Sequence, residues 1–182
     1  MRNTFDRFNG RHQDYQAARP SYAQEFLDWL GELYAPPERY TAADIGSGTG
    51  KLSAQLLAAG FRVCGVEPNP DMRGAAEALL GGDPRFSSSN GTDHDTGLPD
   101  RSVDMVAAAQ AFHWFDGPAF ARECRRILRP GGRAVLVWNV RGSAPMNQAL
   151  AQVFREHCPS FHGFTGGMGE DDPRIRDFFG GA

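Results

Sequence analysis

The run Asp44-Ile45-Gly46-Ser47-Gly48-Thr49-Gly50, with Glu67-Pro68 at the end of the next apolar run, constrains this chain more than any other feature. Tyr40-Thr41-Ala42-Ala43 leads into the glycines as a short strand, and 51–59 reads as a helix closed by Gly60. A strand, a glycine turn and a helix start together make a surface that a ligand can approach at backbone distance. Glu67 lies 23 residues beyond Asp44, near the roughly 20-residue offset at which a second strand offers an acid to ribose hydroxyls. The pattern predicts binding of an adenosine-containing small molecule. A bare strand-to-helix turn would account for the glycines but for neither acid.

Glycine spacing separates two kinds of cofactor. A dinucleotide site uses Gly-x-Gly-x-x-Gly and rests the pyrophosphate on the helix N-terminus. Here the glycines fall at 46, 48 and 50, so the third comes one residue early. Asp44 would repel a diphosphate, whereas it could receive an ammonium group. The Asp-x-Gly-x-Gly-x-Gly form, with Glu67-Pro68 after the next strand, resembles the class I S-adenosylmethionine-dependent methyltransferases. Their cofactor carries a sulfonium, an amino acid end and a ribose, and no phosphate. The same features disfavour a nicotinamide-dependent oxidoreductase.

Composition points to one soluble globular domain over 1–182, with a core at about 38–142, an N-terminal lid or helix over 1–35 and a tail over 143–182. With 41% hydrophobic and 23% charged residues the chain is not of the disordered class. Its formal charge is -3 and its basic residues are scattered, which argues against a nucleic-acid groove. Arg122, Arg125, Arg126 and Arg129 gather before Pro130-Gly131-Gly132, and on a helix they read as a solvated face and partners of its C-terminal dipole. Cys64, Cys124 and Cys158 form no Cys-x-x-Cys pair, which fits a reduced cytoplasm. No apolar run approaches the ~18 residues of a membrane span, and the N-terminus lacks the apolar stretch of a signal peptide. A cytoplasmic protein is expected.

Periodicity alternates along the chain. Strands are predicted at 40–45, 61–66, 85–89, 103–109 and 133–140. Between them lie helices at 50–59, 71–80 and 117–128, with another at 22–34 capped by Ser21 and a last one over 145–157. Strands separated by helix-length segments imply an α/β fold, a Rossmann-like, doubly wound and mostly parallel sheet with five strands evident.

The resemblance extends to Gln110-Ala111-Phe112-His113-Trp114-Phe115-Asp116, to Ile127-Leu128-Arg129-Pro130-Gly131-Gly132 and to Tyr15-x-x-x-Arg19-Pro20-x-Tyr22. These match a branch that includes small-molecule carboxyl methyltransferases. Carried over residue by residue, it implies a site for S-adenosylmethionine, with S-adenosylhomocysteine as product. Gly46, Ser47 and Gly48 would pass against the methionine part, and Asp44 would support its amino group. Glu67, followed by Pro68, would accept both ribose hydroxyls. Asn69 and Met72 would flank the adenine, and the Thr92-Asp93-His94 loop would read its amino group. Many members have Ala-Glu where this chain has Asp93-His94, so Asp93 would supply that acceptor one position early. Gln110 would line the sulfonium side.

Phe112, Trp114 and Phe115 read first as packing residues, with Trp114 or Tyr15 beside the sulfonium as the alternative. His113 is a candidate general base and Tyr15 a second candidate catalytic residue. Tyr15 and Arg19 could equally hold an anionic substrate, close a lid or cap the first helix. His157, Cys158 and His162 match no standard zinc arrangement, so no metal is expected. A carboxylate acceptor would need no base, and alignment with exclusion of water could carry the reaction.

Complete members of the resembled family add a C-terminal antiparallel hairpin beside the fifth strand, and no such pair is apparent after His157. The fifth strand would then be an exposed apolar edge, expected to be covered by a partner subunit, as in a homodimer, or by the tail from Phe161 to Phe179. Two functions follow. One is methyl transfer to a small-molecule acceptor. The other is cofactor binding without catalysis, by a shortened paralogue or a subunit that requires a partner chain.

Overall fold

The glycine turn sits at the C-terminal end of the central strand of a five-stranded parallel sheet. The structure, a computed structural model, describes residues 21–139, 145–158 and 172–180, with the side chains of 145–148 excepted. Strands β1 (Thr41–Ile45), β2 (Arg62–Val66), β3 (Phe86–Ser89), β4 (Val103–Ala109) and β5 (Leu128–Val137) stand in the order β3-β2-β1-β4-β5. Helices α1 (Gln24–Leu33), α2 (Lys51–Ala58), α3 (Pro70–Leu80), α4 (Gly117–Ile127), α5 (Pro145–His157) and α6 (Pro173–Phe178) accompany them. The Rossmann-like class expected from the sequence is the observed one.

Side-chain alternation sends each strand's apolar residues to two cores. Ala43 and Ile45 of β1 join Val106 and Ala108 of β4 on the α4 side, where Phe112, Phe120 and Ile127 complete a buried cluster. Ala42, Met105 and Ala107 point the other way, onto Leu30, Tyr34, Leu52, Leu56 and Phe61. Burial on both faces is why β4 reads as an uninterrupted apolar run. On α4, residues Phe120, Ala121, Cys124 and Ile127 are buried while Arg122 and Arg125 face solvent, an amphipathic stripe at helical spacing. Asp116 caps this helix, its Oδ1 accepting from Ala119 N at 2.9 Å.

Several boundaries differ from expectation, most of them by one residue and those of α1 and β5 by more. Ser21 caps nothing; α1 begins at Gln24 with no side-chain cap bond. Tyr22 is held instead by Gln55 of α2, through Tyr22 N to Gln55 Oε1 and Gln55 Nε2 to Tyr22 O, both 3.0 Å. A larger change is at α4, which ends at Ile127; β5 already starts at Leu128, paired with Val103, and it ends at Val137 rather than at 140. Pro130 disfavours a helical residue before it, and Gly131 at φ 82 absorbs the irregularity between Val103 and Met105. Arg129 therefore lies on a strand, paired to Asp104 at 2.6 Å, rather than on a helical face.

Three further elements were not foreseen: 3-10 turns at Pro37–Arg39 and Phe112–Trp114, and helix α6. Phe178 of α6 is 7% exposed and stacks on Phe120 at 5.2 Å with 16° between the rings. This part of the tail packs on the α4 face. Among the described residues no strand pairs with the outer side of β5. Residues 161–171 of the expected edge cover lie outside those described.

The connection from β3 to β4 carries three predicted site residues, and a buried acid anchors it. Glu123 Oε1 accepts from Thr96 N at 2.9 Å and Thr96 Oγ1 at 2.6 Å, while Arg126 Nε reaches Oε2 at 2.8 Å. Burial alone would raise the Glu123 pKa, but Arg126 and Thr96 outweigh it and bring it down to about 2. A folded-state value below the ordinary 4.5 stabilises above pH 4.5, and that stability is lost as pH falls toward 2. We expect the melting temperature to drop between pH 5 and 3 in the wild type, and a Glu123→Gln variant to show a shallower drop.

Candidate cofactor site

The turn after β1, the Glu67-Pro68 corner after β2 and the stretch Gln110–Asp116 after β4 converge at the C-terminal ends of the strands. Between them lies a cavity of about 300 Å³. Neighbours β1 and β4 send their connections in opposite directions along the sheet, to β2 and to β5, and that divergence opens the crevice. Gly46, Gly48 and Gly50 all have positive φ, at 70, 57 and 80. At Gly46 space is short as well: an added Cβ would stand 2.8 Å from Ala111 Cβ and 3.2 Å from Phe115 Cζ. Gly46→Ala should cost roughly 1 kcal/mol from φ alone, with the contact adding to it, and should lower the urea midpoint at unchanged slope.

Glu67 is held as an acceptor. One carboxylate oxygen accepts from Gly48 N at 2.9 Å and the other from Asn69 N at 2.8 Å. Each oxygen keeps lone-pair capacity for a ligand. Burial pushes the Glu67 pKa up, and these backbone bonds oppose it. Arg73 fixes the same corner, its Nη1 donating to Glu67 O at 2.8 Å and to Asn90 Oδ1 at 3.0 Å.

Asp44 lies deeper, 1% exposed. Ser53 Oγ donates to its Oδ2 at 2.7 Å, and its Oδ1 has no hydrogen-bond partner among the described residues. Burial, reinforced by the charge of Glu67 and opposed by Ser53, pushes its pKa up to about 6. An orphaned, buried carboxylate oxygen is costly unless a ligand brings a donor to it.

Residues 43–136 match the family model described as "Methyltransferase domain". The chain belongs to this methyltransferase-domain family. An uncharacterized methyltransferase of Mycobacterium tuberculosis is 42% identical over 127 residues, covering 70% of this chain and 49% of the relative. Among solved structures, a protein of Anaeromyxobacter dehalogenans assigned as a type II methyltransferase aligns with TM-score 0.61 and 37% identity, over 76% of this chain and 56% of that one. Another, from Anabaena variabilis and assigned to an antibiotic biosynthesis pathway, aligns with TM-score 0.64 and 26% identity, over 85% and 59% of the two chains. The chain spans about half the length of the curated relatives it matches. Family and fold agree with the class I S-adenosylmethionine-dependent methyltransferases expected from the glycine turn.

Within this methyltransferase domain, Gly46, Gly48, Glu67, Pro68, Met72, Thr92, Asp93, His94 and Gln110 line the cavity. Asp44, Ser47 and Asn69 stand off its wall. Asn69 is the N-cap of α3, its Oδ1 accepting from Asp71 N and Met72 N at 3.0 Å each. Ser47 joins the turn to β2, its backbone N donating to Val66 O at 3.1 Å. Gln110 has φ 55, a strained value for a residue with a side chain. It is locked to the end of β5 through Gln110 N to Val137 O at 2.8 Å and Nε2 to Asn139 O at 3.1 Å.

The aromatic run divides. Phe112 is core, 2% exposed, as a packing residue should be. Phe115 lines the cavity and also packs on Phe120 at 4.9 Å. Trp114 is 48% exposed at the rim, so its reading as a packing residue is corrected. His113 sits in the same 3-10 turn with its ring 4.8 Å from Trp114, off the cavity wall. Tyr15, Arg19 and His162 lie outside the described residues. Asp116 also lines the wall, and sequence reasoning passed over it although an Asp before Gly117-Pro118 is a helix-start signal. Among the described residues no group of three or more His, Cys, Asp or Glu could hold a metal ion, and no helix is long and apolar enough to cross a membrane.

Proposed function

We propose that this chain binds S-adenosylmethionine between β1 and β4 and catalyses transfer of its methyl group to a small molecule. The observation that carries the reading is Glu67, a carboxylate fixed by Gly48 N and Asn69 N on the wall of a crevice at the strand ends. Two adjacent ribose hydroxyls suit its two remaining acceptor sites. The left-handed glycines would let the methionine part lie along the backbone, and the orphaned Asp44 Oδ1 fits a cofactor that brings an ammonium donor. When bound, that cofactor supplies an electrophilic methyl group on sulfur.

The chain's own contribution is to bind, orient and exclude water. Phe115 and Trp114 present apolar surface at the mouth, and the Gln110 backbone is held rigid by β5. His113 and Tyr15 stay candidates for moving a proton from an acceptor that needs it. A single domain, a reduced cytoplasmic setting and a second copy covering β5 belong to the same proposal, supported by the free thiols of Cys64, Cys124 and Cys158 and by the edge position of β5. Calorimetric titration with S-adenosylmethionine, S-adenosylhomocysteine and NAD in parallel tests it. Micromolar binding of the first two and silence from NAD is expected. Binding of NAD alone would sink the reading, and cofactor binding with no turnover on any acceptor would leave the non-catalytic subunit.

A further inference from the structure

Part of the crevice wall is held from behind. Thr92, Asp93 and His94 line the cavity, and their loop closes on itself: Thr92 N donates to Asp95 O at 2.8 Å and Asp95 N to Thr92 Oγ1 at 3.1 Å. The two ends of the loop lie so close that an added Cβ on Gly91 would stand 2.5 Å from Thr96 O. Thr96 is 0% exposed, and each of its polar groups is engaged. Its O accepts from Ser89 Oγ at 2.8 Å, at the end of β3. Its N and Oγ1 both donate to Glu123 Oε1, at 2.9 and 2.6 Å. Glu123 is 6% exposed on α4, and neither it nor Thr96 lines the cavity. The same helix meets the loop again at its N-cap, where Asp116 N donates to Asp93 Oδ2 at 3.0 Å. Two buried donors of a tight loop thus share one acceptor, and removing it leaves both unsatisfied.

We propose that Glu123 is a positioning residue for the cofactor, which through Thr96 fixes the wall at 92–94 in its binding shape before the ligand arrives. This rests on the cofactor reading above. Gly46 adjoins Ala111 and Phe115, so the stretch after β4 flanks the glycine side of the crevice. The start of α3 and the end of β3 flank the Glu67 side, where Arg73 Nη1 joins Glu67 O to Asn90 Oδ1. With the ribose at Glu67 and the methionine part along the glycines, the base turns toward Met72 and the loop. A wall already ordered spares the ligand the entropy of ordering it. Arg126 steadies the anchor in turn, its Nε 2.8 Å from Glu123 Oε2 and its Nη2 2.7 Å from Oε1.

The test compares Glu123→Ala, Glu123→Gln and Thr96→Val with the wild-type full chain. Calorimetry reads S-adenosylhomocysteine affinity, and mass spectrometry reads amide exchange after seconds of labelling, while β1 and β4 stay protected. In Glu123→Ala the affinity should fall about tenfold, and the amides of 92–98 should exchange about tenfold faster. Added S-adenosylhomocysteine should slow them again. Glu123→Gln keeps an oxygen toward Thr96 but loses the ion pair with Arg126. It should melt lower than wild type and still bind within about twofold of it. Thr96→Val deletes the Oγ1 bond, keeps the ion pair and should lose about fivefold in affinity, which decides the matter should Glu123→Ala not fold. Wild-type affinity in Thr96→Val, or affinities that simply follow melting temperature across the variants, would overturn the proposal and leave the cofactor reading standing. Failure of S-adenosylhomocysteine to bind the wild type would remove both.

Discussion

Glu67→Ala is expected to weaken S-adenosylmethionine binding by roughly 1.5–3 kcal/mol, a loss of about 10- to 150-fold. The estimate comes from charged hydrogen bonds to two hydroxyls, lost together. It also counts the freeing of Gly48 N and Asn69 N, which the carboxylate holds at 2.9 and 2.8 Å. Stability should change less than binding, because burial already raises the Glu67 pKa and makes its charge costly in the fold. Titration of the purified variant, alongside its urea midpoint, separates the two effects. Unchanged affinity would mean that Glu67 braces the turn and meets no ribose.

Asp44→Asn should move binding and stability in opposite directions. With a folded-state pKa of about 6 against an ordinary 3.8, Asp44 binds its proton more tightly folded than unfolded. Its penalty is therefore absent below pH 3.8, grows as pH rises to 6 and is complete above that. Asparagine can still accept from Ser53 Oγ and carries no charge. The variant should gain about 1–2 kcal/mol at pH 7.5 and nothing at pH 3.5. Its affinity for S-adenosylmethionine should fall at least about tenfold, since a charged partner of the ammonium is gone. Wild-type affinity should itself rise with pH through 6. A variant that loses stability at pH 7.5 would show that the Asp44 charge is satisfied within the fold.

Where the sequence was legible, one local cause dominated. Strand β4 begins and ends where predicted because both of its faces are apolar, and the turn after β1 is written in its three glycines. What escaped was decided at a distance. The clamp between Tyr22 and Gln55 sets the start of α1, which no capping rule could show. Helix α6 has six residues and depends on the seat that Phe120 offers Phe178. The candidate site divides the same way. Glu67 and the glycines follow from motif spacing, whereas the rim formed by Trp114 and Asp116 depends on which side of a 3-10 turn faces the crevice. Asp44 was legible as an acid beside the glycine turn, but its orphaned oxygen and raised pKa required knowledge of its burial.

The seat that Phe178 takes on Phe120 also sets an order of events at the ribosome. The half of the core around Leu30, Leu56 and Met105 draws on residues already synthesised when β5 emerges. Phe112 and Phe120 must wait for Phe178 before their side is closed. A nascent chain paused in between would carry a nearly finished crevice at the strand ends beside an uncovered aromatic patch, the kind of surface that chaperones retain and aggregation exploits.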